Sequence, residues 1–329
     1  MRIILCASQE IGVKCLDTLL NLKQEVPLVI TYKPEYYERW EYDLGGYAKE
    51  KGLSVEYTRK IENEPFITLI KSIKPDWILL AGWRDIVPDN VYAIPKLGAA
   101  NIHSTCLPEG KGFSPYNWSI LLGLKTTGVT LFKLDEGIDT GFILAQKKGI
   151  PIDERETYGS LAKKMIQPAV ELVKEVVISL DSNKPLPTIK TGSKESYYAR
   201  RVPQDSEIDW NDSAIVIDRL VRASNPAPLA YTFLRTQRDG IKKVFIRETQ
   251  LPPWEIGPKE VYAENIYGVP GNWLGVNTEG VAFLTGVRDR ILIKKISLET
   301  DRNTIINALD YKPFNSSTAR LGKKCFLME

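Results

Sequence analysis

The stretch DWILLAGW at residues 76–83 constrains this chain more than any other. Its apolar side chains do not alternate with polar ones. A strand tolerates that only when both of its faces are covered. Comparable runs stand at residues 2–7 (RIILCA) and 26–32 (VPLVITY), with a shorter strand at 54–58. Between them, residues 11–22, 46–51 and 65–73 have helical spacing, and Cys15, Leu16, Leu19 and Leu20 share one face of the first. Such alternation predicts an α/β fold: a Rossmann-like, mostly parallel sheet with helices on both faces. The turn after the first strand, SQEIG, has neither a G-x-G-x-x-G fingerprint nor a Walker lysine loop. That argues against a dehydrogenase or a kinase. Residues 33–43 (KPEYYERWEYD) read as a surface loop whose aromatic rings either stack on a ligand or pack outside the sheet.

The chemistry concentrates in residues 100–146, AANIHSTCLPEGKGFSPYNWSILLGLKTTGVTLFKLDEGIDTGFILAQ. Residues 98–105 read as a buried strand, so Asn101 and His103 point the same way. His103 is the only histidine in the chain, and histidine is the side chain that titrates near neutrality. A loop broken by proline and glycine follows (107–115), then a short helix through 118–122 and a strand at 128–134. The turn DEGIDTG then delivers Asp139. Each residue alone has a structural reading: a bonded histidine at a strand end, an amide satisfying loose backbone, a carboxylate closing an Asx-turn. Together they suit an oxyanion site, with an amide donor and an imidazole on one face and a carboxylate to orient the ring. One histidine and four scattered cysteines supply no metal-ligand set. Cys6, Cys15, Cys106 and Cys325 have no paired spacing, as expected of reduced thiols in a cytoplasmic protein. Cys106 is either a rival nucleophile or a packed apolar residue.

N-x-H, then LP, P-x-N-W, TGVT and D-x-G-x-x-x-x-Q resemble the folate-dependent formyltransferase family, and within it the sugar N-formyltransferases of the UDP-4-amino-4-deoxy-L-arabinose type. The resemblance covers residues 1–290. It implies that Asn101, His103 and Asp139 move a formyl group from N10-formyltetrahydrofolate to an amine. It also implies a pterin pocket lined by residues 83–87, with Trp83, Ile86 and Val87 as contacts and Arg84 either a contact or a solvated charge. Gly137 and Ile138 form the opposite wall. Lys111 and Phe113 are candidates for the acceptor substrate. So are Arg200 and Arg201, which either grip a diphosphate bidentately or fix a hinge. Thr105 and Cys106 stand where the family's S-L-L-P has serine and leucine.

Residues 142–152 read as a strand and 157–180 as a long helix, giving a catalytic domain over 1–203. Short alternating segments with Gly and Pro turns (VPGNWLGVN, GVAFLTG, RILIKKISL) then predict a small OB-like β domain over 204–300. The tail 301–329 has no assignment. The expected acceptor is a nucleotide-linked amino sugar, with methionyl-tRNA as the alternative. The tRNA enzymes resemble R-W-R-G after the L-P pair, a basic loop suited to phosphates. Here the loop is Glu109-Gly110-Lys111-Gly112, and the net charge is only +3. That charge implies no dedicated nucleic-acid surface. Glycinamide ribonucleotide fits less well, because those chains usually lack a second domain. An intact trio argues against a binding protein with a dead site, and a formate assay separates transferase from folate hydrolase. No apolar run reaches about 18 residues, so no membrane span is expected, and no signal-peptide pattern opens the chain. The resemblance allows a homodimer through the C-terminal half.

Overall fold

The computed structural model describes residues 1–36, 42–182, 184, 189, 194–236, 240–253, 268–286, 289–314, 316 and 318–323. Residues 37–41 of the aromatic loop, most of the 181–187 linker and Cys325 lie outside the described residues. The chain divides into two compact units. One comprises residues 1–116, 125–152 and 160–200, the other 117–124, 153–159 and 201–329.

In the first unit, β1 (Arg2–Ala7), β2 (Glu25–Thr31), β3 (Val55–Tyr57), β4 (Trp77–Ala81) and β5 (Ala99–His103) pair in parallel. Helices α1 (Gln9–Asn21), α2 (Leu44–Glu50), α3 (Glu64–Ile73) and α4 (Asp89–Tyr92) connect them. The two-residue β6 (Lys111–Gly112) and α5 (Pro115–Leu121) follow, then β7 (Thr126–Lys133) and β8 (Ile143–Pro151). The sheet runs β3-β2-β1-β4-β5-β7-β8, with β7 and β8 antiparallel to their neighbours. The mostly parallel α/β sheet expected from the sequence is thus the observed one. Ile4, Cys6, Leu28, Ile30, Ile78 and Leu80 pack with Ile67, Ile70 and Val91 of α3 and α4. Ile3 and Leu5, the alternate positions of β1, are equally buried, so both faces are covered, as the unbroken apolar runs require. The long α6 (Tyr158–Asp181) buries Leu161, Met165, Ala169, Leu172, Val173 and Val176, a three-to-four-residue spacing. A short β9 (Tyr197–Tyr198) pairs with β6.

Chain order reverses beside β1, where β2 leads one way and β4 the other. Ligands of open α/β sheets bind outside the carboxyl ends of the strands at such a switch. Ser8, just past β1, hydrogen-bonds across to Ala81 and Gly82 at the end of β4 (3.1 and 2.5 Å). Leu80 pairs with Asn101, so the loop after β4 and the end of β5 reach the same edge.

The second unit holds α7 (Ala214–Ala223) and an antiparallel sheet. Its strands are β10 (Tyr231–Thr236), β11 (Gly240–Gln250), β12 (Trp273–Val276), β13 (Val281–Leu284), β14 (Arg290–Leu298), β15 (Asp301–Asn307) and β16 (Arg320–Gly322). Ile217 and Val221 of α7 share a core with Val244, Phe283, Ile291 and Leu321. The tail without a sequence assignment therefore contributes two strands, β15 on β14 and β16 on β10. Around α7, buried Asp218 is met by Arg155, Arg222 and Thr249 (3.1, 2.7 and 2.7 Å). A buried carboxylate is tolerable only when matched in this way.

Candidate active site

Asn101 and His103 project from the last residues of β5. The buried His103 ring is held at both nitrogens. Its Nε2 lies 2.7 Å from the Gly110 carbonyl oxygen, and its Nδ1 lies 3.4 Å from Asp139 Oδ2. A carbonyl oxygen only accepts, so Nε2 is the donor and Nδ1 is the nitrogen facing the carboxylate. The 3.4 Å separation exceeds the 2.7–2.9 Å typical of a charge-assisted bond. A proton on Nδ1 turns two facing lone pairs into an attractive contact.

Asp139 reaches this position from a left-handed backbone (φ 53°), a conformation that aspartate tolerates better than most residues. The turn itself is shaped by Asp135, whose Oδ1 accepts from Gly137 N and Thr140 Oγ1 (3.1 and 2.6 Å). Asp139 is thereby left to the site, where its Oδ2 also accepts from Gly112 N at 2.8 Å. The loop 110–112 thus touches both members of the couple, with Gly110 supplying a carbonyl and Gly112 an N–H. Both glycines have positive φ (70° and 95°), and a Cβ at Gly112 would sit 2.5 Å from the Tyr198 oxygen. Only glycine adopts that backbone in that space without strain.

Behind the couple, Thr130 Oγ1 donates to Thr105 O (2.7 Å) and accepts from Leu107 N (3.2 Å) and Gln146 Nε2 (2.8 Å). Gln146 also donates to Leu107 O at 2.9 Å. The threonine and glutamine of the TGVT and D-x-G-x-x-x-x-Q motifs therefore fasten the L-P turn to the strands beside it. Cys106 is half-buried, and burial raises its thiol above the usual range. A proton-bearing thiol is a poor nucleophile.

The Trp83 ring stacks on Tyr32 with centroids 4.7 Å apart, and the Arg84 guanidinium lies over the same Tyr32 ring at 4.9 Å. Ile86 and Ile138 are exposed, whereas Val87 packs into the core beneath the loop. Gly137 uses its N–H within its own turn. Trp83 Nε1 and Asn101 Oδ1 are buried without partners among the described residues.

Of the acceptor candidates, Phe113 and Arg200 meet each other, with the guanidinium 5.0 Å from the ring centroid. Arg201 instead donates to Asp205 O and Ser206 Oγ (2.9 and 3.2 Å). Lys111 is buried and pairs with Glu195 at 3.2 Å. Sequence reasoning missed Gly110, Gly112 and Ser196. The one available signal was the pair of glycines flanking Lys111. No group of three or more metal-ligating side chains occurs among the described residues.

A doubly wound sheet that brings an amide, an imidazole and a carboxylate together is suited to acyl-group transfer. Residues 1–177 match the formyl transferase model, and residues 201–310 match the formyl transferase C-terminal domain. The chain belongs to that family; it is a folate-dependent formyltransferase, with formyl-tetrahydrofolate as co-substrate. It is similar to the methionyl-tRNA formyltransferase of Thermodesulfovibrio yellowstonii, at 32% identity over 76% of this chain and 82% of that protein. It is also similar to the bifunctional polymyxin resistance protein ArnA of Wigglesworthia glossinidia brevipalpis, at 36% identity over 71% of this chain. Only 36% of that longer protein is spanned. Among solved structures, the N-formyltransferase from Helicobacter canadensis, in complex with folinic acid and dTDP-3-aminofucose, shares the fold. Its TM-score is 0.58 at 20% identity, over 88% of this chain and 98% of that one.

Proposed function

We propose that the chain transfers the formyl group of N10-formyltetrahydrofolate to the amine of a nucleotide-linked amino sugar. The observation carrying this reading is the loop after Leu107-Pro108, which presents a carboxylate to solvent and withholds its cation. Glu109 is exposed, while Lys111 is buried against Glu195. A loop of that charge repels RNA phosphates. The pair formed by Phe113 and exposed Arg200 offers a ring and a guanidinium, groups suited to a nucleotide and its diphosphate. The aminofucose complex of the Helicobacter canadensis neighbour supports the same class.

The folate supplies an activated one-carbon unit, and Trp83, Arg84, Ile86 and Ile138 are the residues to hold its pterin. Asn101 donates to the formyl oxygen as the amine adds and that oxygen becomes an anion. Such a donor lowers a barrier by roughly 3–4 kcal/mol. His103, with Nε2 fixed on Gly110, carries the mobile proton on Nδ1 and delivers it to N10 as the C–N10 bond breaks. Asp139 balances the imidazolium and accepts the proton that the amine sheds. That proton then stands beside Nδ1 and restores the ring. No covalent enzyme intermediate is required.

The test is side-by-side formyl transfer to methionyl-tRNA and to a panel of UDP-, dTDP- and GDP-amino sugars. Turnover of a sugar nucleotide without turnover of the tRNA is expected. Efficient tRNA formylation with no sugar turned over establishes the second reading, which the name of the Thermodesulfovibrio yellowstonii relative favours.

A further inference from the structure

The loop that holds His103 and Asp139 is itself held from its other side. Gly110 N donates to Ser196 Oγ at 2.8 Å, across 86 residues of sequence. Lys111 N donates to Ser196 O (2.9 Å) and Phe113 N to Tyr198 O (3.0 Å). The buried Lys111 ammonium is 3.2 Å from Glu195 Oε1 and lies over the Tyr197 ring at 5.3 Å. The Tyr198 side chain and backbone occupy the space that a Cβ at Gly110 or Gly112 would need.

A Gly-Lys-Gly loop has little stiffness of its own, since glycine has the most backbone freedom to lose. Yet this loop must hold a carbonyl and an N–H in place at once. One fixes the donor nitrogen of the His103 ring, and the other anchors the Asp139 carboxylate. Residues 195–198 supply the missing stiffness: three hydrogen bonds to the loop backbone and an ion pair to its side chain.

We propose that residues 195–198 form a positioning clamp for formyl transfer, and that Lys111 is the clamp's anchor, not a substrate contact. The clamp acts through the 110–112 loop, so it sets the alignment of the His103–Asp139 couple without touching either substrate. This inference rests on His103 and Asp139 being the proton-handling pair. A displacement of 1 Å in such a constellation is able to cost about 100-fold in rate.

The experiment compares Ser196→Ala, Ser196→Thr, Lys111→Met and His103→Asn in protein without a histidine tag. It measures kcat, KM for both substrates, and the ring 15N signals of the single histidine. Ser196→Ala and Lys111→Met are expected to lower kcat about 10-fold or more while each KM stays within about 2-fold, the pattern of a lost transition-state alignment. Ser196→Thr, which keeps the hydroxyl, restores most of the rate. The 15N signals show Nε2 as a persistent donor in the native protein and tautomer exchange in Ser196→Ala. If Lys111→Met does not fold, Ser196→Ala decides alone, because Ser196 is exposed. Native kcat with unchanged histidine signals overturns the clamp, as does a raised amine KM at native kcat. Undiminished turnover by folded His103→Asn overturns the catalytic reading instead, whatever the clamp variants do.

Discussion

His103 presents one nitrogen to a backbone carbonyl and the other to a carboxylate, so the ring is held in one orientation. Replacing it by asparagine keeps a polar side chain and removes the proton carrier. The expected result is a fall in kcat of about 10²- to 10⁴-fold, the usual worth of general acid–base catalysis, with an unchanged circular dichroism spectrum. Asp139→Asn is expected to fall in the same range, since a neutral amide neither balances an imidazolium nor takes a proton. Cys106 is the opposite case. Burial raises its thiol above the usual range, so it keeps its proton through neutral pH and gains thiolate only as pH climbs beyond the ordinary value near 8.5. Alkylation by iodoacetamide should be slow at pH 7 and accelerate above pH 9, and Cys106→Ala should retain most activity. A thioester trapped on Cys106 would reverse that assignment.

At the scale of elements, the strand β5 and the turns after β4 and β7 bring the site together, but the β6–β9 pair gives it precision. Gly112 is a tight meeting point of β6 and β9. Alanine there must adopt φ near 95° with its Cβ 2.5 Å from the Tyr198 carbonyl oxygen. An L-residue held in such a backbone costs about 1–3 kcal/mol, and relieving the clash moves the N–H that anchors Asp139. Gly112→Ala is therefore expected to lower both the melting temperature and kcat. A variant with native melting and native turnover would show that the loop tolerates a shift. The buried carboxylate of Asp218 makes a comparable case in the second unit. Asp218→Asn leaves Arg222 and Arg155 without their counter-charge, and breaking such a pair costs about 3–5 kcal/mol. Chemical denaturation should show an earlier midpoint, most clearly by tryptophan fluorescence of Trp210 in that unit's core.

For the molecule as a whole, charge separates the two acceptor readings. The chain carries +3 in 329 residues, and its loop at residues 109–112 shows solvent a carboxylate. An enzyme that grips tRNA neutralises several phosphates and loses affinity steeply with salt, in proportion to the contacts it makes. A sugar nucleotide offers only a diphosphate, so its KM should change shallowly between about 50 and 200 mM salt. Arg200→Ala should raise the sugar nucleotide's KM more than the folate's, because the guanidinium stands over Phe113. Equal effects on both would make that arginine structural. Arg201, already bonded to Asp205 and Ser206, should affect stability more than either KM.

Unbroken apolar runs such as DWILLAGW determined the covered parallel sheet without any coordinates, because burial on both faces is written into every residue of a strand. The same local logic placed Asn101 and His103 on one face and brought Asp139 forward as their carboxylate. Periodicity is silent about pairing across long separations. Only the tertiary structure decided that β7 and β8 run antiparallel, and that residues 301–307 and 320–322 complete the second sheet. It also decided that Asp135 shapes the turn and so releases Asp139. The partners of the His103–Asp139 couple were the least legible part. Every residue carries a carbonyl and nearly every one an N–H, so nothing in the letters marks Gly110 O or Gly112 N as the groups that meet His103 and Asp139. Nor does anything mark a strand 86 residues away as what holds them there.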